Sequence, residues 1–125
     1  MNLIDSSGWL EYFSDGPNAD VFTEPIIASS EPIIIPTIII YEIFKKVLSE
    51  RGEDAAIQTV AQLKKYRSIP LDENIALSAA KISYDRKIPM ADSIIYASAK
   101  RYDAVVWTQD EDFKDLPNVK YILKN

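Results

Sequence analysis

The sequence predicts an α/β domain in which a mostly parallel sheet lies between two helical layers, a three-layer α/β/α arrangement. Two short runs, Ile33-Ile34-Ile35 and Ala104-Val105-Val106-Trp107-Thr108, are apolar or β-branched on both faces, as strands in the middle of a helix-covered parallel sheet are. Between and around them, apolar residues recur at helical spacing, and strands alternating with helices mark an α/β chain. The length of 125 residues, 47% apolar and 26% charged, suits one domain over residues 1–125 with room for a sizeable core.

Asn2-Leu3-Ile4-Asp5 reads as a short buried strand ending in an acid. Ser6 to Phe13 follows as a short amphipathic helix, with Trp9, Leu10, Tyr12 and Phe13 on its apolar side. Asp15-Gly16-Pro17 forms a turn, and Pro17 is suited to open a helix over about 17–29, against which Pro25 counts. After the strand at 33–35, Ile39, Ile43, Phe44 and Val47 mark a helix from Thr37 that stops at Gly52. A helix over 53–67 turns Ala56, Ile57, Val60, Ala61 and Leu63 inward, and Ser68 to Leu71 forms a brief strand. Helices at 73–86 and 89–102, the strand at 104–108 and a last strand at about 119–123 complete the order.

Composition removes whole classes of chemistry. Without cysteine there is no disulfide scaffold, thiolate metal site or thiol nucleophile, and without histidine no Ser-His-Asp triad or imidazole base. Gly8, Gly16 and Gly52 lie too far apart for a dinucleotide fingerprint or a P-loop. A net charge of −5 is the wrong sign for a bulk-basic nucleic-acid binder. No apolar run approaches the ~18 residues of a membrane span. The N-terminus shows no basic region before an apolar stretch, so a cytoplasmic protein is expected.

Carboxylates remain, and four of them fall where an open parallel sheet binds ligands, beyond the carboxyl ends of its strands. Asp5 ends the first strand, Glu42 comes early in the helix after Ile35, Asp92 opens the helix behind Pro89, and Asp110 follows Thr108. Each has a plainer reading when taken alone. Asp5 suits a helix N-cap, Glu42 an i, i+4 pair with Lys46, Asp92 the helix dipole, and Asp110 an Asx turn. Together, with no base next in sequence to Asp5, Asp92 or Asp110, they describe a pocket that wants a cation. Two carboxylates ~5 Å apart repel by roughly 3 kcal/mol at an effective dielectric of ~20, so such a cluster stays ionised only beside a positive charge. All-oxygen ligands select Mg²⁺ or Mn²⁺, with Ca²⁺ a poorer fit.

These segments resemble a known family. Leu3-Ile4-Asp5-Ser6-Ser7, Glu42 behind Ile33-Ile34-Ile35-Pro36-Thr37, Ile88-Pro89-Met90-Ala91-Asp92 and Val105-Val106-Trp107-Thr108-Gln109-Asp110-Glu111-Asp112-Phe113 together resemble the PIN domain, and within it the VapC-type toxins of toxin–antitoxin pairs. Trp107 departs from the smaller aliphatic residue more usual there. The resemblance implies a metal-dependent endoribonuclease, a homodimer, held inactive by a small antitoxin protein. It maps the acidic quartet onto Asp5, Glu42, Asp92 and Asp110, with Mg²⁺ (or Mn²⁺ in its place) as cofactor. Thr108, Asp112 and Ser6 are expected to support that site.

The chemistry then expected is hydrolysis of an RNA phosphodiester by a metal-activated water, leaving a 5′-phosphate and a 3′-hydroxyl. Lys45, Lys46, Arg86, Lys87, Lys100 and Arg101 are candidates to grip the backbone, and the Trp9, Tyr12 and Phe13 face is either core or a groove for an antitoxin helix. Two other readings stay open. One is a PIN nuclease of RNA maturation or decay that has no antitoxin. The other is a non-catalytic module that binds metal or a basic peptide in its carboxylate pocket.

Overall fold

The computed structural model describes residues 1–124, so the domain boundary expected at Asn125 lies outside the described residues. Five strands, β1 (Asn2–Ile4), β2 (Ile34–Pro36), β3 (Arg67–Ile69), β4 (Val105–Thr108) and β5 (Val119–Tyr121), pair in parallel throughout these residues. β1, β4 and β5 form one sheet and β2 and β3 another. A single bridge, Asn2 to Ile33, joins them through the Asn2 N–H on the Pro32 carbonyl at 2.9 Å. The combined order is therefore β3-β2-β1-β4-β5.

Among the described residues six α-helices flank the sheet: α1 (Ser6–Phe13), α2 (Ala19–Thr23), α3 (Thr37–Arg51), α4 (Glu53–Leu63), α5 (Glu73–Arg86) and α6 (Met90–Arg101). α5 packs on α6, α4 on α3, and α1 on α2 and α3. The core takes Leu3, Ile4, Ile34, Ile35 and Val106 from the strands, and Trp9, Phe22, Ile39, Ile43, Ile95 and Phe113 from the segments around them. Burying each such side chain stabilises the fold by ~1.5–3 kcal/mol relative to leaving it in water. Gly8 lets α1 approach closely, because a Cβ there would stand 2.6 Å from the Phe22 ring and 2.7 Å from Ile4. No helix among the described residues is long and apolar enough to cross a membrane.

The α/β/α expectation agrees with this architecture, and α5 occupies the expected residues 73–86. Three local expectations need correction. The helix expected over 17–29 is a short α2 followed by a π-helical turn, Glu24–Ala28. Pro25 has no N–H to continue an α-helical ladder, and the chain widens until the Ser29 N–H reaches the Glu24 carbonyl at 2.8 Å. The helix expected to run to residue 67 ends at Leu63, and β3 begins at Arg67. On α4 only Ala56 and Leu63 are buried, while Ile57 is 52% exposed and Ala61 is exposed. α4 packs chiefly on α3 along the stripe that holds Ala56 and Leu63, and positions 57 and 61 lie roughly 100–160° round from it. Gly52, at φ 90°, makes the sharp break between α3 and α4 that a side chain would strain.

Candidate metal centre

Each acid of the quartet reaches the same sheet edge by its own route. Asp5 follows β1 directly, and its N–H donates to the Trp107 carbonyl at 3.0 Å, which sets it beside the end of β4. β2 passes into α3 without a loop, so Glu42 stands in the second turn of a helix leaving that edge. Pro89 precedes α6 and leaves Asp92 in its first turn. Asp110 lies two residues beyond β4. An open cleft of about 320 Å³ is lined by Asp5, Glu42, Asp92 and Asp110, with Ser6, Ser7, Lys46 and Lys124 among its other walls.

Asp5 is 2% exposed and occupies the N-cap position of α1, but its side chain caps nothing. Its Oδ2 instead accepts from Ser7 Oγ and from Thr108 Oγ1, both at 2.9 Å. Thr108, fully buried, also accepts the Asp110 N–H at 2.9 Å, and Ser7 Oγ accepts the Gln109 N–H at 3.0 Å. Glu42 accepts from Ser6 Oγ at 3.1 Å, and Lys46, its sequence-proposed partner, pairs with Glu50 instead. Asp110 does cap: its Oδ1 accepts the Asp112 N–H at 2.9 Å and opens the 3₁₀ turn Glu111–Phe113. The Asx-turn reading therefore holds for Asp110 alongside its place in the cleft.

The electrostatics are those of crowded acids. Burial raises the Asp5 carboxyl above its ordinary range, with the charge of Asp110 adding and the hydrogen bonds from Thr108, Ser7 and the Ser6 backbone opposing. Burial likewise raises Glu42, with the Ser6 hydrogen bond opposing and the charges of Asp5 and Asp110 adding. Asp92 is pushed up to about 8 by burial first, then by the charges of Asp110 and Asp5 and by its contact with Asp112. Among the described residues the ion pairs are Met1–Glu31, Lys46–Glu50 and Lys81–Asp85, none of which involves these acids. The charge the cluster lacks is positive.

The donor set fits a hard divalent cation. One carboxylate oxygen each from Asp92, Asp110 and Asp112 lies within 4.8 Å of the others, a spacing that an oxygen-coordinated ion can bridge. Asp112, expected only to support the site, thus stands in its closest acidic cluster, while Asp5 and Glu42 line the same cleft outside that trio.

A family model described as PIN domain matches residues 3–119. The chain belongs to the PIN-domain family. Solved structures agree on this fold. A toxin–antitoxin complex from Klebsiella pneumoniae matches with a TM-score of 0.81 at 21% identity, covering 98% of this chain and 100% of that one. VapC20 of Mycobacterium tuberculosis, a sarcin-ricin loop cleaving toxin, matches at 0.78 and 12% identity, covering 94% and 95%. FitAcB of Neisseria gonorrhoeae matches at 0.64 and 26% identity, covering 90% and 89%. No curated protein matches the sequence.

Within this PIN domain, several residues at the site were not singled out for it from sequence. Ser7 is one; its signal was a hydroxyl two positions beyond an acid at a strand end, a spacing suited to side-chain hydrogen bonding. Gln109 is another, and the buried Asn18, outside the cleft wall, donates its Nδ2 to the Gln109 Oε1 at 2.7 Å across 91 residues. Asn18 also donates to the Leu123 carbonyl at 3.0 Å, which keeps Lys124 at the cleft. Nothing local in the sequence signals these long-range pairs. Of the six basic residues named from sequence, Lys46 alone lines the cleft.

Proposed function

We propose that this PIN domain is a Mg²⁺-dependent endoribonuclease and the toxin of a type II toxin–antitoxin pair. The observation that carries the nuclease reading is the meeting of Asp5, Glu42, Asp92 and Asp110, from four separate segments, in one open cleft. In this reading Asp92 and Asp110 hold the cation with Asp5, directly or through water, Glu42 helps to hold it, and Asp112 joins them because its carboxylate lies with theirs. A hard divalent cation bound there supplies a Lewis acid that lowers the pKa of water and offsets charge on a phosphodiester. Mn²⁺ meets the same ligand preference.

The protein's own groups orient and balance this site. Thr108 steadies Asp5 and Ser6 steadies Glu42, while Asp92 takes up a proton when no cation compensates it. Lys46 and Lys124 offer positive charge to the phosphates of a bound strand at the rim of the cleft. With no histidine in the chain, attack by an RNA 2′-hydroxyl lacks an evident base, which favours water as nucleophile and 5′-phosphate and 3′-hydroxyl ends.

The similar structures include toxin–antitoxin complexes, which supports a small antitoxin protein as partner. The reading includes a homodimer and action in the cytoplasm. The test is incubation of the purified chain, free of any partner, with single-stranded RNA. Cleavage with Mg²⁺ or Mn²⁺, abolished by chelator, is the expected result, and cleavage that ignores the chelator overturns the metal-dependent reading. Expression of the chain should slow bacterial growth and a small adjacent gene should relieve it. Harmless expression of an active nuclease would move the protein to the RNA-maturation class.

A further inference from the structure

We infer that Ser7 is a positioning residue that, with Thr108, fixes which oxygen of Asp5 faces the cation. The inference rests on the metal-dependent reading above and extends it to a residue that reading does not use. The proton inventory decides the geometry. A backbone N–H can only donate, so Ser7 Oγ, taking the Gln109 N–H at 3.0 Å, must accept there. Its one proton is then free for Asp5 Oδ2 at 2.9 Å. Thr108 repeats the pattern: Oγ1 accepts the Asp110 N–H at 2.9 Å and donates to the same Asp5 Oδ2 at 2.9 Å. The contact between the two hydroxyls, at 3.4 Å, is left without a proton of its own.

Two successive amides at the end of β4 thus drive two hydroxyl protons onto one carboxylate oxygen. The arrangement fixes the carboxylate through Oδ2, and Oδ1, the oxygen that neither hydroxyl touches, would be the one left to serve a cation as a single ligand. A single-oxygen ligand suits an ion that demands near-octahedral geometry. Hydrogen bonds that orient a ligand from behind commonly change metal affinity or activity by ~10–100-fold when removed. Ser7 is half-buried in the first turn of α1, where alanine is compatible with the helix.

The test titrates Mn²⁺ into the full chain and follows the free ion by its paramagnetic resonance signal, alongside thermal melting in chelator. Ser7→Ala should weaken Mn²⁺ binding about tenfold or more, Ser7→Thr should bind close to wild type, and Thr108→Val should weaken binding as Ser7→Ala does. Ser7→Cys, which keeps the volume and weakens the donor, makes the same comparison if Ser7→Ala folds poorly, and should also weaken binding. Unchanged Mn²⁺ affinity in Ser7→Ala and Ser7→Cys, whatever happens to the melting point, makes the hydroxyl purely structural and overturns the inference while leaving the nuclease reading intact. Failure of the wild type itself to bind Mn²⁺ overturns both.

Discussion

Thr108 Oγ1 and Asp5 Oδ2 lie 2.9 Å apart although 103 residues separate them in the chain. The contact exists because β1 and β4 are parallel neighbours, with Ile4 opposite Trp107. Replacing Thr108 with valine keeps the shape but removes both this donor and the acceptor of the Asp110 N–H. Loss of stability of ~1–3 kcal/mol is expected, because a buried carboxylate and a backbone amide each lose a partner. Urea denaturation in chelator measures it, with Thr108→Ser as the variant that should stay near wild type. A Thr108→Val protein as stable as wild type would show that water replaces both bonds.

The raised Asp92 makes stability depend on pH in a definite direction. Its folded pKa is about 8 and its ordinary value 3.8, so between these limits the folded protein holds a proton that the unfolded chain has released. Stability from this group is complete below about pH 4 and is lost as pH rises through about 8. In chelator, the melting temperature of wild type relative to Asp92→Asn should therefore fall from pH 6 to pH 9. A constant difference across that range would mean that Asp92 does not hold its proton.

The same variant separates a metal ligand from a structural acid. At pH 9, without metal, Asp92→Asn should be more stable than wild type by ~1 kcal/mol, since it removes one of several neighbouring charges. That corresponds to a rise of ~3–5 °C in a domain of this size. Mg²⁺ at ~100 times its dissociation constant should stabilise wild type by ~2.7 kcal/mol and the variant by much less. A lower melting point in chelator with an equal response to Mg²⁺ would assign Asp92 to the fold alone.

Asp110 has two roles that substitution can divide. Asp110→Asn retains an oxygen to accept the Asp112 N–H, whereas Asp110→Ala does not. Both should lose nuclease activity, and only the alanine variant should lose ~1 kcal/mol of stability through the missing cap. Equal stability in the two variants would remove the cap from the account.

Gly8→Ala should destabilise the protein although alanine favours a helix by ~1 kcal/mol over glycine. The added methyl has no space against Phe22 and Ile4, and overpacking of this kind costs ~1–3 kcal/mol. A fall in melting temperature is the expected readout, and a rise would mean that α1 shifts freely on the sheet.

What was legible in the sequence was whatever a local pattern carries. The Ile33–Ile35 run announced a buried strand, Pro89 announced the start of α6, and acids at strand ends marked the edge where a parallel sheet binds ligands. Legibility failed where packing or distance decides. Ile57 looked like core because it is apolar, yet it lies off the stripe that α4 turns to α3 and is left exposed. Pro25 signalled trouble in a helix but not the π turn that resolves it. Ser7 and Asn18 act through partners 102 and 91 residues away, and no window of sequence contains both ends of such a bond.

The strand order has a consequence for the nascent chain. β1 leaves the ribosome first, yet it lies between β2 and β4 and waits longest for the latter. At the ~5–20 residues per second of synthesis, roughly 5–20 s separate the appearance of Asp5 from that of Asp110. For nearly all of that interval Asp5 lacks Thr108, and the cluster of Asp92, Asp110 and Asp112 does not yet exist. The acidic centre is assembled only after the segment that carries Asp110 has been made, so anything that meets the chain before then meets one whose chemistry has not yet begun.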